Sequence, residues 1–103
     1  KESSAASDVY KRQIEESARS FQLTGADLRG QSRSKKTAMA RQIAMYLMRN
    51  LTNLPLKEIG EEFGGRNHAT VLSSIRKVEE LLKSDPEIAA TVRDITSNIN
   101  SKN

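Results

Sequence analysis

The chain has 103 residues, no cysteine, 4% aromatic residues and 29% charged ones. This length suits one domain with a single core, and the composition excludes a disulfide framework, thiolate chemistry and an apolar run long enough to span a membrane. The net charge is +4, but Arg29, Arg33, Lys35, Lys36, Arg41, Arg49 and Lys57 stand between Leu28 and Lys57 without one Asp or Glu, so that stretch holds +7 and the remainder −3.

Such asymmetry is the footprint expected of a surface for a polyanion. Nucleic acid is the first candidate and an anionic phospholipid surface the second. No signal peptide is visible, and a start at Lys1 without an initiator Met reads as an excised domain.

Lys1 to Ser7 is rich in Ser and Ala and is expected to fray. With Asp8 as N-cap, the residues Tyr10, Ile14, Ala18 and Phe21 recur at helical spacing and predict a first helix ending near Phe21. Thr24 with Asp27 forms a capping-box pattern, which predicts a brief helix over Ala26 to Arg29 that Gly30 ends. Gln31 to Lys36 is polar and basic without periodicity, so a loop or a frayed helix start is expected. This segment has two readings, a solubilising connector or an arm that lays an arginine into a DNA minor groove.

Thr37 to Thr52 reads as the clearest long helix. Met39, Ile43, Leu47 and Leu51 form its expected inward face, with Ala40, Ala44 and Met48 beside them. Gln42, Met45 and Arg49 align on another side with Arg41 adjacent, and Met45 and Tyr46 are read as core or half-buried contacts. Asn53-Leu54-Pro55 breaks this helix. Leu56 to Phe63 follows as the first helix of a helix-turn-helix, with Gly60 allowing a neighbouring helix to come close.

Gly64-Gly65 supplies the turn, since glycine tolerates backbone angles that other residues avoid. Asn67 is the expected N-cap of the next helix, whose buried stripe is Val71, Leu72, Ile75, Val78 and Leu82. Arg66, Thr70, Ser73, Ser74 and Lys77 form its polar face. Short polar groups at a helix start can reach base edges, and flanking cations such as Arg66 and Lys77 can hold phosphates. Lys83-Ser84 ends the helix and Asp85-Pro86 starts another, with Ile88, Val92, Ile95 and Ile99 on its apolar face.

These elements predict an all-α, compact bundle of about five or six helices. Its boundaries are a frayed segment at 1–7, a helix-turn-helix domain at 8–100 and a tail at 101–103. Enzymatic readings fail for want of parts. His68 is the single histidine, no metal-ligand cluster or phosphate-binding glycine loop is present, and Glu61, Glu62, Glu79 and Glu80 fall on predicted helix exteriors. No catalytic or metal-binding residue is assigned.

The string GGRNHAT from Gly64 to Thr70, together with ARQIAMYLMRNLTNLPLKEIGEEFG from Ala40 to Gly64, resembles the C-terminal DNA-binding domains of the DnaA family of bacterial replication initiators. That family couples a Gly-Gly-Arg-acidic-His-Thr-Thr turn to a recognition helix, and the resemblance covers Gln22 to Glu79. It implies a Trp-repressor-like helix-turn-helix that reads the DnaA box, a short asymmetric repeat at the replication origin, in support of replication initiation.

Carried over by position, the resemblance puts Arg33 in the minor groove and Lys35, Arg41, Gln42 and Thr70 on phosphates. The backbone near Leu56 and Lys57 matches a main-chain phosphate contact. Asn67, His68 and Ala69 fall where the family reads bases in the major groove, and Leu72 where it touches a thymine methyl. The resemblance further implies no cofactor in this domain, ATP belonging to a separate ATPase domain not seen in this sequence. A cytoplasmic place at the nucleoid, a monomeric isolated domain and oligomerisation through other regions are implied as well.

Four positions depart from the family pattern. Asn67 stands for a frequent Asp, Ala69 for Thr, Lys57 for Pro and Gln31 for a cation, so weaker or broader base discrimination is expected. Two other classes stay open from the residues alone. One is a dimeric helix-turn-helix regulator reading a palindrome, the other a basic module binding anionic lipid or acidic protein.

Overall fold

Apolar residues of the helix Lys35–Thr52 occupy two of its sides rather than one, and that decides the architecture. The computed structural model describes residues 4–101 and contains, among them, six helices and no strand: α1 (Ser4–Ser20), α2 (Gly25–Arg29), α3 (Lys35–Thr52), α4 (Leu56–Glu62), α5 (His68–Ser84) and α6 (Pro86–Ser101). Ala40, Ala44, Met45 and Met48 of α3 face one core cluster, shared with Ile14 and Ala18 of α1, Leu28 of α2, Leu54, Ile59 of α4, Phe63, and Val71 and Ile75 of α5. Ile43 and Leu47 face a second cluster with Val78 of α5 and Val92, Ile95 and Ile99 of α6. A helix buried on two sides thus joins both halves of the core, as a helix with a wide apolar surface must.

The all-α bundle with a helix-turn-helix agrees with the sequence reading, and the differences have local causes. Helix α1 starts at Ser4, four residues ahead of the expected cap Asp8; residues 1–3 and 102–103 lie outside the described ones. Helix α3 starts at Lys35 because Ser34 caps it, its hydroxyl accepting from Thr37 N–H, which shortens the connector to residues 31–34. Ala40, Ala44 and Met48, expected to pack beside the inward face, are fully buried.

Leu51 is the reverse case, 42% exposed where an inward side chain was expected. Asn53 adopts left-handed angles (φ 58) after Thr52, and Leu54 enters the first cluster at that end of α3. On α1, Gln13, Glu16 and Ser17 are buried although polar, and Arg19 pairs with Glu16 at 3.0 Å.

Replacing Leu47 by Ala is expected to lower stability by about 3 kcal/mol, because a filled core site is emptied. Leu51→Ala should cost less than about 1 kcal/mol, as most surface substitutions do. Urea unfolding followed by circular dichroism reads both values.

Candidate nucleic-acid interface

The turn between α4 and α5 is built on one carbonyl. Gly60 O accepts from Phe63 N–H at 3.1 Å and from Gly65 and Arg66 N–H at 3.0 Å each. Gly64 and Gly65 supply the left-handed angles (φ 80 and 83) that bring those donors round. Residue 60 must itself be glycine, since a Cβ there would lie 2.0 Å from the Arg66 carbonyl oxygen. The close approach foreseen at Gly60 is therefore chiefly to the turn's backbone, with Val71 of α5 next to it.

Helix α5 then starts at an exposed tip. Asn67 caps it, its Oδ1 accepting from Thr70 N–H at 2.9 Å, and Asn67, His68, Ala69 and Thr70 are all exposed. His68 is the first residue of the helix. Its own N–H and that of Ala69 head a 17-residue helix, where unpaired donors and the helix dipole favour an anion or a base acceptor. Thr70, Ser73 and Lys77 continue along one exposed face, whereas Ser74, expected there, is buried, and Leu72 is half-buried.

The basic stretch meets this tip. Gly30 ends α2, and its carbonyl accepts from Arg66 Nη2 at 2.9 Å, so the connector bearing Arg33 leaves the body beside the helix-turn-helix turn. Arg29 reinforces the junction by donating from Nε to Glu62 O at 3.2 Å and pairing with its carboxylate at 3.5 Å. Arg33 and Lys35 are exposed. Lys35, half-buried Gln42 and Lys77 line one depression of about 640 Å³ with Phe21 and Met39, so three expected phosphate contacts from α3 and α5 adjoin. Lys57 is exposed and Leu56 half-buried at the start of α4, where Pro55 supplies no side-chain cap to the first-turn N–H groups.

Two expected phosphate contacts turn inward instead. Arg41 is buried and donates from Nε to Leu28 O at 2.7 Å and from Nη2 to Gly30 O at 3.3 Å and Ser32 O at 3.1 Å. Burial, and then the nearby Arg66 charge, hold its guanidinium below the ordinary arginine range. Arg66 is half-buried and bonds Phe63 O as well as Gly30 O. Each guanidinium would have to give up these carbonyls to reach a phosphate. A signal for Arg41 was present in the sequence: it stands four residues before Met45 and seven before Met48, within the buried stripe. Nothing comparable marked Arg66.

Among the described residues there is no group of three His, Cys, Asp or Glu that could hold a metal ion, and no helix is long and apolar enough to cross a membrane. Glu61, Glu79 and Glu80 are exposed, as expected, and Glu62 is half-buried beneath Arg29.

Arg41→Met is expected to lower stability by about 2–3 kcal/mol, since charge-assisted bonds to buried carbonyls are removed. Arg33→Met removes the same charge from an exposed site and should change stability by no more than about 0.5 kcal/mol. Parallel urea titrations of the two variants compare them directly.

The family described as the bacterial dnaA protein helix-turn-helix matches residues 12–78, that is, from α1 through most of α5. The chromosomal replication initiator protein DnaA of Leifsonia xyli subsp. xyli is 51% identical over 86 residues, covering 84% of this chain and 18% of the relative. The protein of the same name from Lactiplantibacillus plantarum is 45% identical over 87 residues, covering 84% and 19%. That of Crocosphaera subtropica is 45% identical over 83 residues, covering 81% and 18%. The chain spans less than a fifth of the length of these curated relatives. A family match over the helices that build the exposed tip, joined to identity of this degree over most of the chain, makes the chain a member of the bacterial DnaA helix-turn-helix family.

Proposed function

We propose that the chain binds double-stranded DNA sequence-specifically, reading a DnaA box at a replication origin. The observation that carries this reading is the Arg66–Gly30 bond, which sets the basic connector beside the exposed start of α5. A duplex straddling that junction meets Asn67, His68 and Ala69 in its major groove, with Leu72 toward a thymine methyl and Arg33 in the neighbouring minor groove. Lys35, Gln42, Lys57, Thr70 and Lys77 take phosphates, as do the first-turn N–H groups of α4 near Leu56. The relatives are named for chromosomal replication initiation, and a part in that process at the nucleoid is the corresponding role here.

The cap refines what Asn67 can read. Its Oδ1 is engaged by Thr70 N–H, which leaves the Nδ2 hydrogens as its free donors. Those donors suit guanine O6 or N7, adenine N7 and thymine O4, which an ionised carboxylate at this position could not bind, while Oδ1 keeps a second lone pair. Binding needs no cofactor in this domain, and one monomer occupies one asymmetric box.

Fluorescence anisotropy with a DnaA box duplex and its scrambled counterpart tests the reading. With Arg41 and Arg66 turned inward, about three or four cations remain for phosphates, so log K should fall against log salt with a slope of roughly −3 to −4. Lys35→Ala should weaken both duplexes alike and reduce the slope by about 1, whereas His68→Ala should narrow the gap between them by about 1–3 kcal/mol. Equal affinity for both duplexes at every salt concentration would reject sequence reading. Vesicle binding that survives His68→Ala while duplex binding is absent would favour the lipid module.

A further inference from the structure

We infer that Arg66 is a positioning residue, holding the Gly30 carbonyl from the helix-turn-helix side while Arg41 holds it from α3, and so fixing the connector that carries Arg33 relative to the tip that carries Asn67 and His68. The consequence for DNA rests on the reading proposed above, but the clamp itself is a property of the free protein.

Two lone pairs allow one carbonyl to accept from both guanidinia, at 2.9 Å from Arg66 and 3.3 Å from Arg41. Beyond Gly30 the connector is exposed and is tied back by Arg41 at Ser32 O and by its own turn bond, Ser34 N–H to Ser32 Oγ. Arg66 in turn is seated without slack. Its N–H bonds Gly60 O at 3.0 Å, and its carbonyl packs where no side chain on residue 60 would fit. The fork of Arg66 spans two segments, with Nη1 on Phe63 O and Nη2 on Gly30 O. A lysine ammonium is a single point of charge on a flexible stem and cannot reproduce that planar bridge. Two cations on one oxygen repel each other, and the further carbonyls of Leu28 and Ser32 for Arg41 and of Phe63 for Arg66 hold them there.

The chain has no cysteine, so nitroxides can be placed cleanly on Gln31→Cys in the connector and Ser73→Cys on α5, both exposed positions. Pulsed electron–electron resonance without DNA should give a narrow distance distribution, which broadens in Arg66→Lys. In anisotropy titrations with unlabelled protein, Arg66→Lys should lower the ratio of box to scrambled affinity about tenfold, as misplacing a single base-reading group would, with the salt slope unchanged. An unchanged distance distribution in Arg66→Lys overturns the clamp. So does an Arg66→Lys protein with wild-type discrimination whose Arg66→Ala counterpart loses one unit of salt slope, because Arg66 would then act as a phosphate-binding charge. Equal weakening on both duplexes together with a lowered melting temperature also overturns it, leaving a role in folding alone. If the wild type fails to prefer the box while the distribution still broadens, box reading falls and the clamp stands.

Discussion

The helix-turn-helix closes because residue 60 has no side chain. Three backbone donors converge on the Gly60 carbonyl, and the Arg66 carbonyl comes down on the face where a Cβ would project. Two left-handed glycines make that convergence possible. Everything at the proposed interface follows from this contact. It sets where α5 begins, how far Asn67 to Thr70 stand out from the body, and where the Arg66 side chain is launched toward Gly30. Phe63, fully buried at the end of α4, anchors the same turn in the first core cluster.

Much of this was legible in the sequence because local rules and tertiary needs agree here. The Thr24–Asp27 capping box, the Asn67 cap, the glycine pair and the Asp85-Pro86 start act within a few residues, and each is present. Helical spacing placed most core residues of α3, α5 and α6. What escaped depends on contacts between distant segments. Leu51 has the right spacing for burial, but Leu54 is the residue that enters the core beyond that end of α3. Ser74 sits one turn from Val71 and Val78 and is carried inward with them. A run of like charges says which side of a protein is basic, not which guanidinia find backbone carbonyls; Arg41 and Arg66 both found them. For Arg41 the stripe through Met45 and Met48 was the clue, while for Arg66 the deciding partner, Gly30, lies 36 residues away.

Turning two arginines inward changes the balance of the proposed interface. Fewer cations remain to neutralise phosphates, so less of the affinity is general to any duplex, and discrimination leans on the geometry of the tip and the connector. Guanidinia bonded to backbone carbonyls also stiffen the segments they bridge. That suits reading, because an ordered contact surface reaches base edges at a smaller cost in conformational entropy than a mobile one.

Asn67 shows how one side chain can serve both folding and the proposed reading. A helix start needs an acceptor at the cap, and here the amide oxygen gives one of its two lone pairs to Thr70 N–H. An aspartate at this position would cap in the same way and offer a groove acceptors only. Asparagine caps the helix with its oxygen and adds Nδ2 donors to what faces the proposed groove. In the proposed reading the exchange therefore bears on the preferred base and not on the cap. Ala69, two positions on, acts in the same direction: it keeps a methyl for apolar contact and has no hydroxyl to share. In the proposed reading the tip keeps its helix cap and offers a DNA sequence a different pattern of donors and acceptors.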